Sequence, residues 1–330
     1  MKLLVTGGAG YIGSHAVYVL IEQGYDVVVV DNLVTGHKRD VHPNAVFYYG
    51  NVGDYRFMVD VLRKEKVDGV IHFAAYSLVA ESMVQPYKYY ENNMSATNVM
   101  LAAMAECNIK HLVFSSTAAI YGDVDVERIT EEMLPAPTNV YGATKLAMEQ
   151  MIGWHAQAYG MRHVALRYFN VAGAHPSGKI YEKHDPETHL IPIVLEVAAG
   201  VRDQICIFGD DYPTNDGTCI RDYIHVMDLA CAHVLAMEYL IAGGVSVVCN
   251  LGNGEGFSVL EVIEAARAVT GKTIPAAKSE RRFGDPAKLI ASSSIAKEVL
   301  GWKPKHPDIK DMIESAWNAL CANSYCNDHQ

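Results

Sequence analysis

A glycine-rich turn near the start of the chain constrains the fold more than any other feature. The run Thr6-Gly-Gly-Ala-Gly-Tyr-Ile-Gly13 follows an apolar strand and opens a helix. Glycines allow a tight turn and a close backbone approach to a pyrophosphate, and the free amides at a helix start hold that anion. The sequence therefore predicts a dinucleotide-binding strand, turn and helix. Its key glycines are Gly7, Gly10 and Gly13.

Strands and helices alternate through the first half of the chain. The predicted strands are Lys2–Thr6, Asp26–Asp31, Val46–Gly50, Val70–Phe73, His111–Ser116 and His163–Phe169. The predicted helices are Ile12–Gln23, Arg56–Lys66, Tyr87–Cys107 and Val140–Tyr159. Continuous apolar strands separated by helices indicate a parallel sheet covered on both faces. The predicted fold class is α/β, a doubly wound Rossmann-type parallel sheet with a smaller mixed α/β substrate lobe.

An acidic residue ends the second predicted strand at Asp31. In this kind of unit a carboxylate at that place accepts a hydrogen bond from a ribose 2′-hydroxyl, and it repels a 2′-phosphate. The sequence therefore predicts NAD as the cofactor rather than NADP.

The pattern changes after about residue 170, where prolines and short polar turns appear. We therefore predict an NAD-binding domain over residues 1–170 and a substrate lobe over 171–330. A predicted helix at Val226–Leu240 and a predicted strand at Val245–Asn250 leave open a return of about 221–252 to the main sheet.

Tyr141 and Lys145 are four residues apart on a predicted helix, so both side chains lie on one face. A tyrosine normally titrates near ~10. A neighbouring ammonium favours the phenolate, and together with the charge of an oxidised nicotinamide it brings the phenol into the range of a general base. The pair predicts proton removal from an alcohol during its oxidation. Thr117 or a neighbouring residue at the strand end is placed to donate to the same alcohol oxygen.

Composition disfavours several other classes of function. The formal net charge of −11, from 27 basic and 38 acidic residues, disfavours binding to nucleic acid or to an anionic membrane. The seven cysteines form no Cys-x-x-Cys pair, so neither a disulfide framework nor a zinc site is expected from them. No leader or membrane-spanning run is evident, which predicts a soluble protein in the reducing cytoplasm. The histidines show no His-Glu-x-x-His spacing, and no catalytic metal is expected.

The chain resembles the extended short-chain dehydrogenase/reductase family, and within it the epimerases of UDP-sugars. The resemblance runs from the glycine-rich turn to Gly301-Trp-Lys-Pro304, and its most specific stretches are Arg167-Tyr-Phe-Asn170 and Asp216-Gly-Thr-Cys-Ile-Arg-Asp-Tyr-Ile-His-Val226. It implies reversible 4-epimerisation of UDP-glucose and UDP-galactose through a 4-keto intermediate, with tightly bound NAD. It also implies a homodimer formed through the helices Tyr87–Cys107 and Val140–Tyr159.

The same resemblance implies roles for individual residues. The catalytic residues are Tyr141, Lys145 and Thr117. The cofactor contacts are Gly7, Gly10, Tyr11, Ile12, Gly13, Asp31, Asn32, Asn51, Val52, Phe73, Ala74, Ala75, Asn92, Ser115, Tyr141, Lys145 and Tyr168. The substrate contacts are Thr117, Tyr141, Asn170, His189, Leu190, Cys206, Phe208, Arg221, Arg282 and Asp285. The planar forks of the two arginines suit the paired oxygens of a diphosphate.

Three residues depart from the family pattern. Asn51 stands where many members have an aspartate near the adenine, and Ser77 stands where some have a lysine toward the pyrophosphate. His189 replaces a common asparagine of the sugar-nucleotide pocket, although an imidazole still donates one hydrogen bond.

Single positions of the sequence favour or disfavour other functions that occur on the same fold. A 4,6-dehydratase needs an Asp-Glu pair where this chain has Ala118 and Ala119, which transfer no proton. Leu289 matches a residue that gates the hexose pocket and leaves activity on UDP-N-acetylhexosamines open. A net NAD-dependent sugar-nucleotide dehydrogenase also stays open. A non-catalytic NAD-binding protein is disfavoured because Tyr141, Lys145 and the glycines are intact.

Overall fold

The computed structural model describes residues 1–282 and 285–323. Within these residues the first six strands are β1 (Lys2–Thr6), β2 (Asp26–Asp31), β3 (Val46–Tyr49), β4 (Gly69–His72), β5 (His111–Thr117) and β6 (Arg162–Tyr168). The later ones are β7 (Asn170–Ala172), β8 (Ile205–Phe208), β9 (Ile220–His225), β10 (Val247–Leu251), β11 (Gly256–Ser258), β12 (Ala276–Ser279) and β13 (Lys288–Leu289).

The helices fall between these strands. The first six are α1 (Tyr11–Glu22), α2 (Tyr55–Glu65), α3 (Val79–Val84), α4 (Pro86–Tyr89), α5 (Ala96–Glu106) and α6 (Val140–Tyr159). The others are α7 (Leu190–Ala198), α8 (Val226–Ile241), α9 (Val259–Thr270), α10 (Ser294–Leu300) and α11 (Ile309–Ala322). Short 3-10 turns occur at Lys38–Asp40 and Ala118–Tyr121. Among the helices of the described ranges, none is long and apolar enough to cross a membrane.

The main sheet contains seven parallel strands in the order β10-β6-β5-β4-β1-β2-β3. Apolar side chains on one face pack against α1, α8 and α10, and those on the other pack against α2, α5 and α6. Because both faces are covered, the central strands consist almost entirely of buried aliphatic residues. The predicted doubly wound α/β fold is confirmed.

A second lobe forms around β9. This strand pairs with β11 in antiparallel fashion and with β7 and β13 in parallel, while β8 and β12 form a separate parallel pair. Helices α7, α9 and α11 enclose the core of this lobe. The chain leaves the main sheet at Phe169, between β6 and β7, and returns to it at β10. Strand β9 lies in the second lobe, whereas α8 packs against β5 and β6 of the main sheet.

The predicted helix Tyr87–Cys107 is divided in the structure. A π-helical segment, Tyr90–Ser95, separates α4 from α5. Within it the side chain of Asn93 accepts from the Tyr76 amide at 2.9 Å and donates to the Tyr76 carbonyl and to Thr144 Oγ1 at 3.1 and 3.2 Å. These bonds tie the wide turn to α6. Such turns are frequent at functional sites, and the neighbouring Asn92 lines the cleft described below.

Candidate active site

A cleft of about 430 Å³ opens at the carboxyl ends of the main-sheet strands. Its wall includes residues that end or directly follow β1, β2, β4, β5 and β6, and residues of the second lobe complete it. Ligands of doubly wound sheets bind at this edge, because the strand ends and helix starts present free backbone amides there.

The cleft gathers all but one of the predicted cofactor residues. Those that line it are Gly7, Gly10, Tyr11, Ile12, Gly13, Asp31, Asn32, Asn51, Val52, Phe73, Ala74, Ala75, Asn92, Tyr141, Lys145 and Tyr168. Ser115 does not line it. Its buried hydroxyl lies 2.8 Å from the Tyr168 hydroxyl, so it supports a lining residue from behind.

The three glycines of the turn differ in what they allow. Gly7 has φ +74°, and a Cβ there would lie 2.6 Å from the amide nitrogen of Ala74. A Cβ on Gly13 would lie 2.1 Å from the carbonyl oxygen of Gly7. Gly10 has φ −82°, and its nearest neighbour would be the Gly7 oxygen at 3.4 Å. The chain itself therefore requires glycine at 7 and 13, whereas the bare surface at Gly10 leaves room for a ligand.

Asp31 is fixed at the end of β2 by two backbone amides. Its Oδ2 accepts from the amide of Ala9 at 2.9 Å, and its Oδ1 accepts from the amide of Leu33 at 2.8 Å. A carboxylate has about four acceptor positions. The two that remain can receive the hydroxyls of a ribose without reorganisation of the site.

Asn51 is also held by its own turn. Its Oδ1 accepts from the Gly53 amide at 2.8 Å, while the residue lines the cleft. The amide nitrogen of the side chain is therefore the group left to donate to a bound ring. Ser77 lines the same cleft.

Tyr141 is positioned by the first turn of α6. The Asn139 side chain caps this helix by accepting from the Gly142 amide at 2.8 Å, and the Tyr141 amide donates to Ser82 Oγ at 3.1 Å. The Thr117 side chain lies close enough to the Tyr141 hydroxyl to lower the pKa of the phenol. The phenol thus lies beside a second hydroxyl.

Lys145 extends under the floor of the cleft. Its Nζ donates to the Ser115 carbonyl at 2.8 Å and lies 5.0 Å from the centroid of the Phe114 ring and 6.0 Å from that of Tyr141. Burial lowers the pKa of Lys145 to about 7. The protonated form of the amine is thus destabilised relative to that of an exposed lysine.

The phenol has an unfavourable environment for ionisation within the chain itself. Burial raises the pKa of Tyr141 well above its usual range, and the nearby Tyr168 adds to this, while the hydrogen bond to Thr117 lowers it. Within the chain, desolvation exceeds the effect of the Thr117 hydrogen bond, and the prediction that Lys145 together with an oxidised nicotinamide lowers this pKa stays a prediction.

The positions after Thr117 carry no titratable group. Ala118 and Ala119 line the cleft, and the Ala119 amide donates to Thr117 Oγ1 at 3.1 Å. This bond orients the hydroxyl that contacts Tyr141. The acid and base that a 4,6-dehydratase requires next to the strand end are lacking at these two positions.

The predicted substrate residues occupy two places. Thr117, Tyr141, Asn170 and His189 line the cleft. The remaining six lie in the second lobe outside the cleft lining: Leu190, Cys206, Phe208, Arg221, Arg282 and Asp285.

Four of those residues form one polar and aromatic group, which we call the distal cluster: Phe208, Arg221, Arg282 and Asp285. Arg221 and Asp285 form a salt bridge. The guanidinium of Arg282 lies 3.9 Å from the centroid of the Phe208 ring. Cys206 is exposed on β8, and Leu190 begins α7 and packs on the core of the second lobe.

Some lining residues were not predicted from the sequence. They are Val30, Val34, Thr35, Gly50, Tyr76, Val79, Phe169, Val171, Glu182 and His184. The apolar ones carry no chemical signal that distinguishes them from core residues. Glu182 and His184 belong to a spaced set, Glu-x-His-x-x-Glu-x-His, which does carry such a signal.

Comparison with known proteins shows to which family the chain belongs. The sequence model described as the NAD dependent epimerase/dehydratase family matches residues 3–252. The chain belongs to this family. Similar members include the UDP-glucose 4-epimerase of Streptococcus mutans, 58% identical over 319 residues, and that of Lacticaseibacillus casei, 55% identical over 318, each covering 96% of both chains. A solved family structure, the UDP-glucose 4-epimerase of Bifidobacterium longum in complex with NAD⁺ and UDP, has a TM-score of 0.92 at 41% identity, covering 99% of this chain and 100% of that one.

Proposed function

We propose that this protein reversibly epimerises UDP-glucose and UDP-galactose at C4 through a 4-keto sugar, using NAD that stays bound. The observation that carries the proposal is the Tyr141–Thr117 hydroxyl pair, with Lys145 beneath it, in the same cleft as the glycine turn and Asp31. The glycine turn and Asp31 fit NAD, because Gly10 leaves room for a pyrophosphate and Asp31 keeps free acceptor positions.

Tyr141 is the proton-transfer group of the proposed reaction. Its oxygen takes the proton of the sugar 4-hydroxyl during oxidation and returns a proton when the ketone is reduced, so the phenol is regenerated in each cycle. Thr117 holds the phenol and the sugar oxygen in one line. NAD, when bound, supplies the reversible oxidation at C4.

Lys145 sets the electrostatics beneath the phenol. Its ammonium is held at the Ser115 carbonyl, and this places its positive charge on the same side of α6 as Tyr141. A positive charge there favours the phenolate that proton removal creates. The site thus needs the protonated form of a lysine whose pKa burial lowers to about 7.

The nucleotide part of the substrate is assigned to the second lobe. Arg221 and Arg282 carry the positive charge that a diphosphate requires, and Asp285 can accept from ribose hydroxyls. In this proposal Arg221 exchanges part of its bonding with Asp285 for phosphate oxygens. UDP is then bound tightly, while the hexose rotates in the cleft.

Retention of the C4 hydrogen tests the proposed reaction. UDP-galactose deuterated at C4 should give UDP-glucose that keeps the deuterium, with no added oxidant or NAD. Mass spectrometry of the product measures this label. Loss of the deuterium to solvent, or a requirement for stoichiometric NAD, would instead indicate another route or a net dehydrogenase.

Substitutions in the glycine turn separate cofactor binding from folding. Gly10→Ala should fold with a nearly unchanged Tm, because its Cβ meets only an ordinary contact, yet bind NAD at least about 10-fold more weakly. Gly13→Ala should lower the Tm, since its Cβ meets the Gly7 carbonyl at 2.1 Å. Thermal unfolding and titration of NAD into cofactor-stripped protein measure both effects. Wild-type NAD affinity in Gly10→Ala would argue against pyrophosphate at this turn.

A second substrate class is supported by one residue. Leu289 lines the cleft and packs beside the core that contains Phe169 and Ala291. Its side chain is shorter than the tyrosine that excludes N-acetyl groups in this family, so the proposal extends to UDP-N-acetylhexosamines. Assays of UDP-glucose and UDP-N-acetylglucosamine on one preparation decide between narrow and broad specificity.

We also propose that the protein is a cytoplasmic homodimer. Each chain has an NAD-binding domain at 1–170 and a substrate lobe at 171–330, and within the second range α8 and β10 return to the main sheet. Among the described cysteines, five are free thiols, in keeping with a reducing compartment: Cys107, Cys206, Cys219, Cys231 and Cys249. Val84 at the end of α3, Tyr87 on α4 and Trp154 on α6 are 77%, 78% and 71% exposed. Exposed large apolar residues of this kind favour a protein interface. The mass of the protein in solution, measured by light scattering, tests the dimer.

A further inference from the structure

Four potential metal ligands meet in the segment that leads into α7. They are Glu182, His184, Glu187 and His189, which are spaced Glu-x-His-x-x-Glu-x-His. One ligand atom from each of the four lies within 4.8 Å of those of the other three. Because the group is contained in eight residues of irregular chain, its convergence reflects the local backbone and not the packing of distant elements.

The distances between side-chain atoms of this group match the distances between ligand atoms in a small coordination shell. His189 Nδ1 lies 2.8 Å from Glu182 Oε1 and 3.3 Å from Glu187 Oε1. His184 Nδ1 lies 3.4 Å from Glu182 Oε1 and 3.5 Å from Glu187 Oε2. Around a zinc ion with bonds of about 2.1 Å, the corners of a tetrahedron are about 3.4 Å apart. Both imidazoles thus present Nδ1 toward both carboxylates at ligand-to-ligand separations.

Aligned hydrogen bonds do not account for the arrangement, in which both imidazoles contact the carboxylates at ion-pair distances. Nδ1 of His184 and Nδ1 of His189 are both buried, and neither has an aligned hydrogen-bond partner despite the short distances. Buried polar atoms in folded proteins nearly always have partners. Two unsatisfied imidazole nitrogens that face two carboxylates are what a metal-binding site provides.

The carboxylates are buried and held in place. Side chains of Glu182 and Glu187 are 7% and 4% exposed. Glu187 Oε1 accepts from the amides of Thr188 at 2.8 Å and His189 at 2.9 Å, which fixes its orientation. Such bonds to a ligating carboxylate orient metal sites. Two buried carboxylates at this separation also require a compensating positive charge.

We propose that Glu182, His184, Glu187 and His189 bind one divalent transition-metal ion of the zinc class as a structural site. Two imidazoles and two carboxylates suit zinc, and four protein ligands leave no open position for catalysis. The ion would hold the segment before α7 in one conformation, and three of its ligands, Glu182, His184 and His189, form part of the cleft wall. The proposal is independent of the epimerase proposal, since neither NAD nor nucleotide supplies a ligand.

The site would also orient one side chain of the cleft. His189 is 42% exposed although its Nδ1 is buried, so the opposite edge of the ring faces outward. A metal on Nδ1 leaves the proton on Nε2 and fixes the ring. His189 then offers the cleft a single hydrogen-bond donor of defined direction.

Zinc stoichiometry in matched variants tests the site. Untagged protein is stripped with dipicolinate, equilibrated with zinc chloride, freed of unbound metal and analysed by mass spectrometry of the element. About one zinc per chain is expected for wild type and for His37→Ala, an exposed histidine outside the group, against less than about 0.2 for His184→Ala and Glu187→Gln. Circular dichroism confirms that each variant is folded. Equal zinc in wild type and His184→Ala would place the metal elsewhere, on cysteine thiols for example, and overturn the proposal.

Cobalt(II) provides a second test that needs no variant. Wild-type protein titrated with cobalt chloride should develop the intense visible absorption of a tetrahedral ion at one equivalent, without thiolate charge-transfer bands. Zinc should abolish this spectrum and raise the Tm of the wild type. The weak spectrum of an octahedral ion, or no binding at one equivalent, would show that the four side chains form a metal-free ionic group.

Discussion

Replacing Tyr141 by phenylalanine is expected to lower kcat by about 10²–10⁴-fold, the range that general acid–base groups contribute. Only the hydroxyl is lost, and this hydroxyl is the group that contacts Thr117 in the cleft. The ring still fills its buried place at the start of α6, so folding and NAD content should stay close to those of the wild type. Steady-state kinetics with UDP-galactose, together with cofactor content by absorbance, measure both results.

A matched control for this variant is Tyr18→Phe. Tyr18 is also a largely buried tyrosine, but it lies on α1, packs against the rings of His42 and His175, and does not line the cleft. Its substitution should leave kcat within about three-fold, as expected for a residue without contact to the reacting atoms. If Tyr141→Phe retains near-normal turnover, the proton must be carried by another group, and the proposed mechanism is wrong.

Lys145→Met is expected to lower turnover by about 10²-fold or more, since it removes the positive charge that favours the phenolate while keeping an apolar side chain of similar length. Nζ donates to the Ser115 carbonyl, and that carbonyl loses its partner in the variant. The same substitution should change how the free energy of unfolding depends on pH. This second effect tests whether burial lowers the pKa of the lysine.

The sign of that dependence follows from proton binding. Burial lowers the pKa of Lys145 from 10.5 to about 7. Between about pH 7 and pH 10 the unfolded chain holds a proton that the folded chain has released, so the free energy of unfolding rises with pH by up to about 1.4 kcal/mol per unit from this group. Below about pH 7 both states are protonated and this contribution is constant, at its most destabilising value.

Urea unfolding at several pH values compares the wild type with Lys145→Met at matched NAD content. The wild type should gain stability relative to the variant as the pH rises from about 7 to 9, and the difference between them should be flat below about pH 6. A difference that is constant across the whole range would mean that Lys145 keeps an ordinary pKa in the folded protein.

The sequence predicts the structure best where a residue type reports on backbone geometry. The strands around Asp31 and the helix that carries Tyr141 and Lys145 were predicted to within about two residues, because apolar runs and glycine turns reflect the parallel sheet directly. Since parallel strand ends share one edge, the meeting of Gly10, Asp31 and Tyr141 in one cleft followed from the fold.

Features that depend on tertiary contacts cannot be predicted from the sequence in this way. The π-helical turn at Tyr90–Ser95 exists because Asn93 bonds to Tyr76 and Thr144, and no local propensity signals that contact. The raised pKa of Tyr141 reflects burial, which a spacing of four residues does not reveal. The convergence of the two imidazoles in the proposed zinc site is local, but it depends on an irregular backbone that no periodic pattern of the sequence predicts.

The return of the chain to the main sheet at β10 affects how the protein can be divided. β10 covers the edge of β6, and α8 and α10 cover the sheet face beside it. A fragment that stops at residue 170 would therefore expose an unpaired hydrogen-bonding edge and an apolar face. Such a fragment should aggregate when expressed, although it contains the whole glycine turn, Asp31, Tyr141 and Lys145. Truncation is thus a poor way to isolate cofactor binding in this protein, and point substitution within the intact chain is the better one.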